Sequence, residues 1–195
     1  MMGFSNVFME EGYESDDIIA SLVIPNIKSN LKVLPMVVSS DKDLMQIVEP
    51  RVAMVTPGKP AEKEGPDQVF RKTGVRPDQV VDWLALMGDN ADNISGVPGV
   101  GAKTAAKWLA QWNSLDNLWL HAAELQPDKL RQALLEKREV VLRNARLIRL
   151  RLDLESFASV EVLARRPPDV PRLRAFYEEM EFHSLAEKIS QPMLL

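Results

Sequence analysis

Cysteine is absent from the 195-residue chain, which excludes a disulfide framework and any thiolate metal site. Histidine is nearly as scarce. His121 and His183 stand alone in the sequence, each reading as a surface or packing residue. No apolar run reaches the length of a membrane-spanning helix, so no membrane partner is expected. Met1 to Met9 lacks the positive n-region and the apolar h-region of a signal peptide, and a cytoplasmic protein is the simplest reading. What remains is ordinary globular composition, 46% hydrophobic and 27% charged. That is too apolar for a disordered chain, and long enough for one substantial core or two small lobes.

An excess of positive charge is missing too. With 24 Lys and Arg against 28 Asp and Glu, the net charge is −4, which at first argues against a nucleic-acid partner. The distribution argues the other way. Setting aside seven clustered carboxylates, discussed below, turns −4 into +3. Between Asp128 and Arg151, eight basic residues (Lys129, Arg131, Lys137, Arg138, Arg143, Arg146, Arg149 and Arg151) face three acids, Asp128, Glu136 and Glu139. That helical stretch suits a phosphate-facing surface, although charge alone equally fits a solvated helix face.

Hydrophobic periodicity divides the chain at the Pro- and Gly-rich loop Pro57–Pro66. Before it, Phe4–Met9 reads as a short strand and Glu10–Asp17 as an acidic turn opening a helix, whose apolar stripe of Ile18, Ile19, Leu22 and Val23 stops near Pro25. Val33–Val38 reads as a buried parallel strand, Asp41–Val48 as a helical turn or two, and Arg51–Thr56 as another strand. Residues 1–62 are therefore expected to be α/β, with acids just past a strand end, where such sheets bind ligands. Residues 63–195 read as wholly helical. Pro66 and Pro77 sit at early helix positions, Gly88 marks a stop, and further helices span Ala102–Trp112, Leu115–Leu120, Pro127–Glu136, Lys137–Leu150, Arg172–Met180 and His183–Ile189. Trp83 and Trp108 lie on apolar helical stripes and are expected in the core, with Trp112 and Trp119 leaning the same way.

The run Gly96-Val97-Pro98-Gly99-Val100-Gly101 joins two amphipathic helices. Its glycines allow a tight turn and close approach to a ligand, while Val97 and Val100 are placed to tuck between the helices. Gly101 opens a helix whose first N–H groups, around Thr104, face an anion. Lys103 and Lys107, four apart on one face, add charge directed at phosphate. Glycines could serve merely to cap two helices, but the full pattern G-V-P-G-V-G-x-K-T-A favours a helix–hairpin–helix that grips a DNA phosphate without reading bases.

Three acidic clusters carry the chemistry: Glu14, Asp16 and Asp17; Asp41 and Asp43; Asp89 and Asp92. The i, i+3 spacing of the last pair can put both carboxylates on one side of a turn. Oxygen donors without Cys or His favour Mg²⁺ or Mn²⁺ over zinc. Each cluster alone would read as caps and solvated turns. Their joint occurrence, one abutting the hairpin, points to a metal site.

Three segments together resemble the flap-endonuclease and 5′→3′ exonuclease family, and within it the exonuclease domain of bacterial DNA polymerase I. They are Glu11-Gly12-Tyr13-Glu14-Ser15-Asp16-Asp17-Ile18-Ile19-Ala20, Ser40-Asp41-Lys42-Asp43-Leu44-Met45-Gln46, and Gly88 through Ala105. The resemblance runs from about Glu10 to Ile189. It implies a partial Rossmann-like (PIN-like) parallel sheet followed by an all-α helix–hairpin–helix (H3TH) DNA-binding lobe. It also implies Glu14, Asp16 and Asp17 at a first metal site and Asp41, Asp43, Asp89 and Asp92 at a second. Two Mg²⁺ or Mn²⁺ ions would then hydrolyse a phosphodiester near a 5′ flap or 5′ end, with a monovalent cation such as K⁺ on the hairpin carbonyls.

In one respect the chain departs from the family pattern. The family places a first-strand Asp, a second Asp and a basic helical arch ahead of the Glu-Gly-Tyr-Glu segment, and Met1–Met9 contains no Asp. Either a fragment or a chain that retains the binding half fits this. Three readings therefore stand: a 5′ nuclease, a non-catalytic module for duplex or branched DNA, or a scaffold pairing through an exposed sheet edge. A polymerase domain or a further N-terminal segment is the implied partner, and self-association is expected if the sheet edge stays open.

Overall fold

Helix α1 (Ser15–Lys28) opens on Asp16 and Asp17, whose charge suits the exposed amides of a first turn, and closes on Lys28. The expected stop at Pro25 is overridden. The Asn26 side-chain amide donates to the Leu22 carbonyl at 2.6 Å beside the break in the ladder. Ile27 is buried in the core, and that burial outweighs the bond a proline forfeits. These details come from a computed structural model describing residues 7–28, 34–59, 62–154 and 167–189. The chain forms two units, Tyr13–Ala158 and Met1–Gly12 with Ser159–Leu195.

In the larger unit, β1 (Met36–Val38) pairs in parallel with β2 (Ala53–Val55), Met36 opposite Ala53 and Val38 opposite Val55. β2 pairs antiparallel with β3 (Lys63–Glu64), a short strand not anticipated from hydropathy. A 3₁₀ turn, Asp43–Ile47, leads from β1 towards β2. The expectation of a buried strand over 33–38 holds for one face only. Val37 is buried, while Met36 and Val38 are 48% and 64% exposed, as period-2 alternation requires when only one face meets the core. Residue 33 and half of the Phe4–Met9 strand expectation lie outside the described residues, and Val7–Met9 carry no strand.

Helix α2 (Pro66–Thr73) starts on its proline and stops at Gly74, whose φ of 80° is left-handed. A 3₁₀ turn, Pro77–Gln79, feeds α3 (Val80–Met87), which buries Val80, Val81, Trp83, Leu84, Ala85 and Leu86. Around α3 pack the 3₁₀ turn Asp43–Ile47, α4 (Ala102–Trp112) and α7 (Arg138–Ile148). Between α4 and α7 come α5 (Leu115–Leu120), a 3₁₀ turn Ala122–Glu124, and α6 (Asp128–Glu136). One buried cluster runs from Ala20 to Leu150, so sheet and helices share a core. Trp83 and Trp108 belong to it; Trp112 and Trp119 pack at its margin, with His121 stacked on Trp112 at 4.3 Å.

The segment after α3 is not helical. Gly88–Asp89 (β4) and Ile94–Ser95 (β5) form a small antiparallel ladder. In the smaller unit, Asp169 caps α8 (Val170–Glu179) by accepting from the Arg172 amide at 3.1 Å. Phe182, just before α9 (His183–Ile189), lies against Tyr177. Among the described residues no helix is long and apolar enough to cross a membrane.

Candidate functional site

Asp41 and Asp43 follow the C-terminal end of β1, where the Asp41 carboxylate accepts the Asp43 amide at 3.0 Å and fixes the entry to the 3₁₀ turn. Asp89 lies in β4, two residues past the end of α3, and Asp92 follows on the turn between β4 and β5. Tertiary packing brings Asp43, Asp89 and Asp92 together, with one carboxylate oxygen from each lying within 4.8 Å of the others. Burial, then repulsion from Asp41, Asp92, Asp89 and Asp16, pushes the Asp43 carboxyl up to about 7. Burial works the same way on Asp89. There the Lys42 ammonium and the Ala91 amide, 3.0 Å from Oδ1, outweigh it and hold the group below the usual carboxylate range.

The α1 acids approach the same region through Asp16, whose carboxyl is raised by burial and then by Asp41. Asp17 is otherwise engaged: Oδ1 accepts the Arg151 amide at 2.8 Å, and Oδ2 accepts the Glu14 amide at 3.3 Å. Among the described residues, Glu14, Asp16 and Asp17 do not form a second three-ligand group.

Four polar side chains that carry no acid of the set hold its elements in place. Gln46 donates to the Ile148 carbonyl at 2.9 Å and accepts the Leu150 amide at 3.1 Å, tying the 3₁₀ turn to the end of α7. Ser21 Oγ donates to the Arg151 carbonyl and accepts the Leu154 amide, tying α1 to the same segment. Asn144, fully buried on α7, donates to the Ala85 and Ser95 carbonyls at 3.2 and 2.8 Å, pinning β5 against α3. Lys42 pairs with Asp89. Gln46 and Lys42 were within reach of sequence reasoning, since both stand in the Asp-Lys-Asp-Leu-Met-Gln motif. Nothing local marks Ser21 or Asn144.

The hairpin is built on backbone proximity. Gly88 and Gly96 face each other so closely that a Cβ on Gly96 would lie 2.2 Å from the Met87 carbonyl carbon. The Val97 amide donates to the Leu86 carbonyl at 2.8 Å and the Val100 amide to Val97 at 3.0 Å, while both valine side chains are buried. Gly99 adopts φ +81°, with Leu130 of α6 beneath it. Gly101 starts α4 in extended conformation without a side-chain cap, so the first α4 amides are turned to an exposed surface. Lys103 and Lys107 are exposed there and Thr104 is half-buried. Together with Trp108, Gln126 and Leu130 they line a groove of about 410 Å³.

The basic stretch is less uniform than its charge suggests. Arg131 pairs with Asp128 at 3.1 Å, Arg151 with Asp153 at 2.9 Å, and Arg138 lies over Trp119. Arg143, Arg146 and Arg149 are exposed along α7 and its end.

Two family models cover successive parts of the chain. One described as 5′-3′ exonuclease, N-terminal resolvase-like domain, matches residues 2–74, and one described as 5′-3′ exonuclease, C-terminal SAM fold, matches residues 75–171. DNA polymerase I of Rhizobium leguminosarum is 37% identical over 93% of this chain and 18% of its own length. Thermostable DNA polymerase I of Thermus thermophilus is 38% identical over 95% of this chain and 21% of its own. The chain thus spans about a fifth of these relatives. A bacteriophage T5 flap endonuclease, solved as a pseudo-enzyme-product complex with DNA and metal ions, superposes with a TM-score of 0.62 at 24% identity. The superposition covers 92% of this chain and 62% of that one, a likeness of fold.

Proposed function

The chain belongs to the 5′-3′ exonuclease family, and we propose that it acts as a structure-specific 5′ nuclease on DNA, hydrolysing phosphodiesters at a 5′ flap or 5′ end. The observation that carries this reading is the convergence of Asp43, Asp89 and Asp92 within 4.8 Å, a few residues before the Gly96–Gly101 hairpin. In this reading residues 1–62 supply the nuclease core and residues 63–195 the DNA-gripping lobe.

The donor set fits a divalent cation. It is all oxygen, which suits Mg²⁺ or Mn²⁺; burial first, and then repulsion from Asp41, Asp92, Asp89 and Asp16, raises the Asp43 carboxyl to about 7, and a cation would relieve that repulsion. Asp43, Asp89 and Asp92, with Asp41, would hold one ion; Glu14, Asp16 and Asp17 are candidates for a second. Such ions would neutralise the scissile phosphate and activate water for in-line attack. The chain's own part is positioning. The α4 amides after Gly101, with Lys103, Thr104 and Lys107, grip a phosphate beside the acids. A monovalent cation such as K⁺ on the hairpin carbonyls completes this grip, and Arg143, Arg146 and Arg149 extend the phosphate-facing surface. A labelled 5′-flap duplex tests the proposal: product release with Mg²⁺ or Mn²⁺, lost in D89N/D92N, supports it, and equal cleavage by the double variant sinks it.

A second reading, DNA binding with little hydrolysis, draws support from Asp17. Its carboxylate is occupied by two backbone amides, and the α1 acids do not gather into a three-ligand group among the described residues. In that case a gel shift with duplex DNA appears at low salt while the flap substrate stays intact.

A further inference from the structure

Asp89 is the most enclosed carboxylate of the set, with 4% of its side chain exposed, and its Oδ2 is paired with the Lys42 ammonium. Among the described residues, no other of the seven carboxylates takes part in an ion pair. Lys42 lies between Asp41 and Asp43 in sequence and keeps 42% of its side chain exposed, so the ammonium has a path to solvent. An ionised carboxylate enclosed this far requires a compensating charge, and here the lysine provides it. A divalent ion at the point shared by Asp43, Asp89 and Asp92 would meet the ammonium at the Asp89 carboxylate.

Building on the metal reading above, we propose that Lys42 is the resident counter-ion of this site, pairing with the Asp89 carboxylate and fixing its orientation without a divalent ion, and yielding that carboxylate when one binds. Lys42 thereby limits repulsion in the metal-free cluster and sets a threshold on metal affinity. A purely structural salt bridge would persist when the ion arrives, and the two behaviours are separable.

Calorimetric titration of the 195-residue chain with Mn²⁺ is paired with amine-reactive labelling of Lys42, read by mass spectrometry with and without Mg²⁺. K42M is expected to bind Mn²⁺ on the order of tenfold more tightly, because a like charge is removed from beside the ion. Its metal-free melting temperature should fall while the gain on adding Mn²⁺ grows. In the unaltered chain, Lys42 labelling should rise as Mg²⁺ saturates the site. Equal or weaker Mn²⁺ binding by K42M, or labelling that Mg²⁺ leaves unchanged, overturns the proposal. If K42M does not fold, labelling of the unaltered chain decides alone. Failure of both chains to bind Mn²⁺ overturns the metal reading and this inference with it, whereas equal binding by both overturns the role of Lys42 alone.

Discussion

The hairpin closes on contacts among neighbouring residues. Val97 bonds Leu86, Val100 bonds Val97, and Gly88 meets Gly96 backbone to backbone. The acidic cluster is assembled from afar: Asp43 reaches Asp89 and Asp92 across the sheet–helix junction, and Lys42, Gln46 and Asn144 hold its elements through bonds spanning 47 to 104 residues. The hairpin should therefore tolerate change poorly at a few backbone positions and well elsewhere. The cluster should respond to substitutions distributed through the core. Such a division suits the proposed pairing of a rigid phosphate grip with a cation site.

The sharpest way to break this contrast is within the hairpin. Gly96→Ala should cost about 3 kcal/mol or more, lowering the melting temperature by roughly 6–12 °C, because its Cβ meets backbone rather than a yielding side chain. Gly101→Ala meets nothing within 4 Å at an extended φ and should change stability by less than about 0.5 kcal/mol. Equal melting shifts for the two would show that the hairpin is not closed by the Gly88–Gly96 approach.

On the cluster side, Asn144→Leu leaves the buried Ala85 carbonyl and the Ser95 carbonyl without their side-chain donor and should cost about 2 kcal/mol. Because β5 pairs with β4 at Asp89, Mn²⁺ affinity should fall more than DNA affinity. Calorimetry and gel shift on one preparation distinguish this from general loosening, which would lower both alike.

Lys103→Ala with Lys107→Ala should weaken duplex binding by about tenfold and reduce the salt slope by about 2, since each lysine neutralises one phosphate. Mn²⁺ binding should not change. A salt slope left as it was would transfer the contact to Arg143, Arg146 and Arg149.

A further expectation concerns pH. A carboxyl raised from about 4 when unfolded to about 7 when folded favours folding while protonated. The metal-free chain should therefore lose stability as pH rises from about 4 towards 7 and then level off. Mg²⁺ should flatten that slope, and D43N should remove it. A slope of the same size in D43N would assign it to other groups.

These tests mirror what could be read from the residues alone. Helix α4 and the starts at Pro66 and Pro77 follow from capping and spacing, which are local signals. Val97 and Val100 are buried as their hairpin positions suggest. Pro25 inside α1 was not foreseeable, because Asn26 and the burial of Ile27 decide it. Two-residue strands such as β3 and β5 are too short for a period-2 pattern to register. The convergence of Asp43 with Asp89 and Asp92 was suggested by resemblance and chemistry. The diversion of Asp17 to the Arg151 amide, 134 residues away, had no sequence signal.

Mn²⁺ titration of the unaltered chain and of D89N/D92N, with duplex gel shifts on the same preparations, bears most directly on the proposed pairing of a cation site with a phosphate grip. Saturable Mn²⁺ binding by the unaltered chain is expected, lost in the double variant while the low-salt gel shift persists. Equal Mn²⁺ binding by both proteins would contradict it.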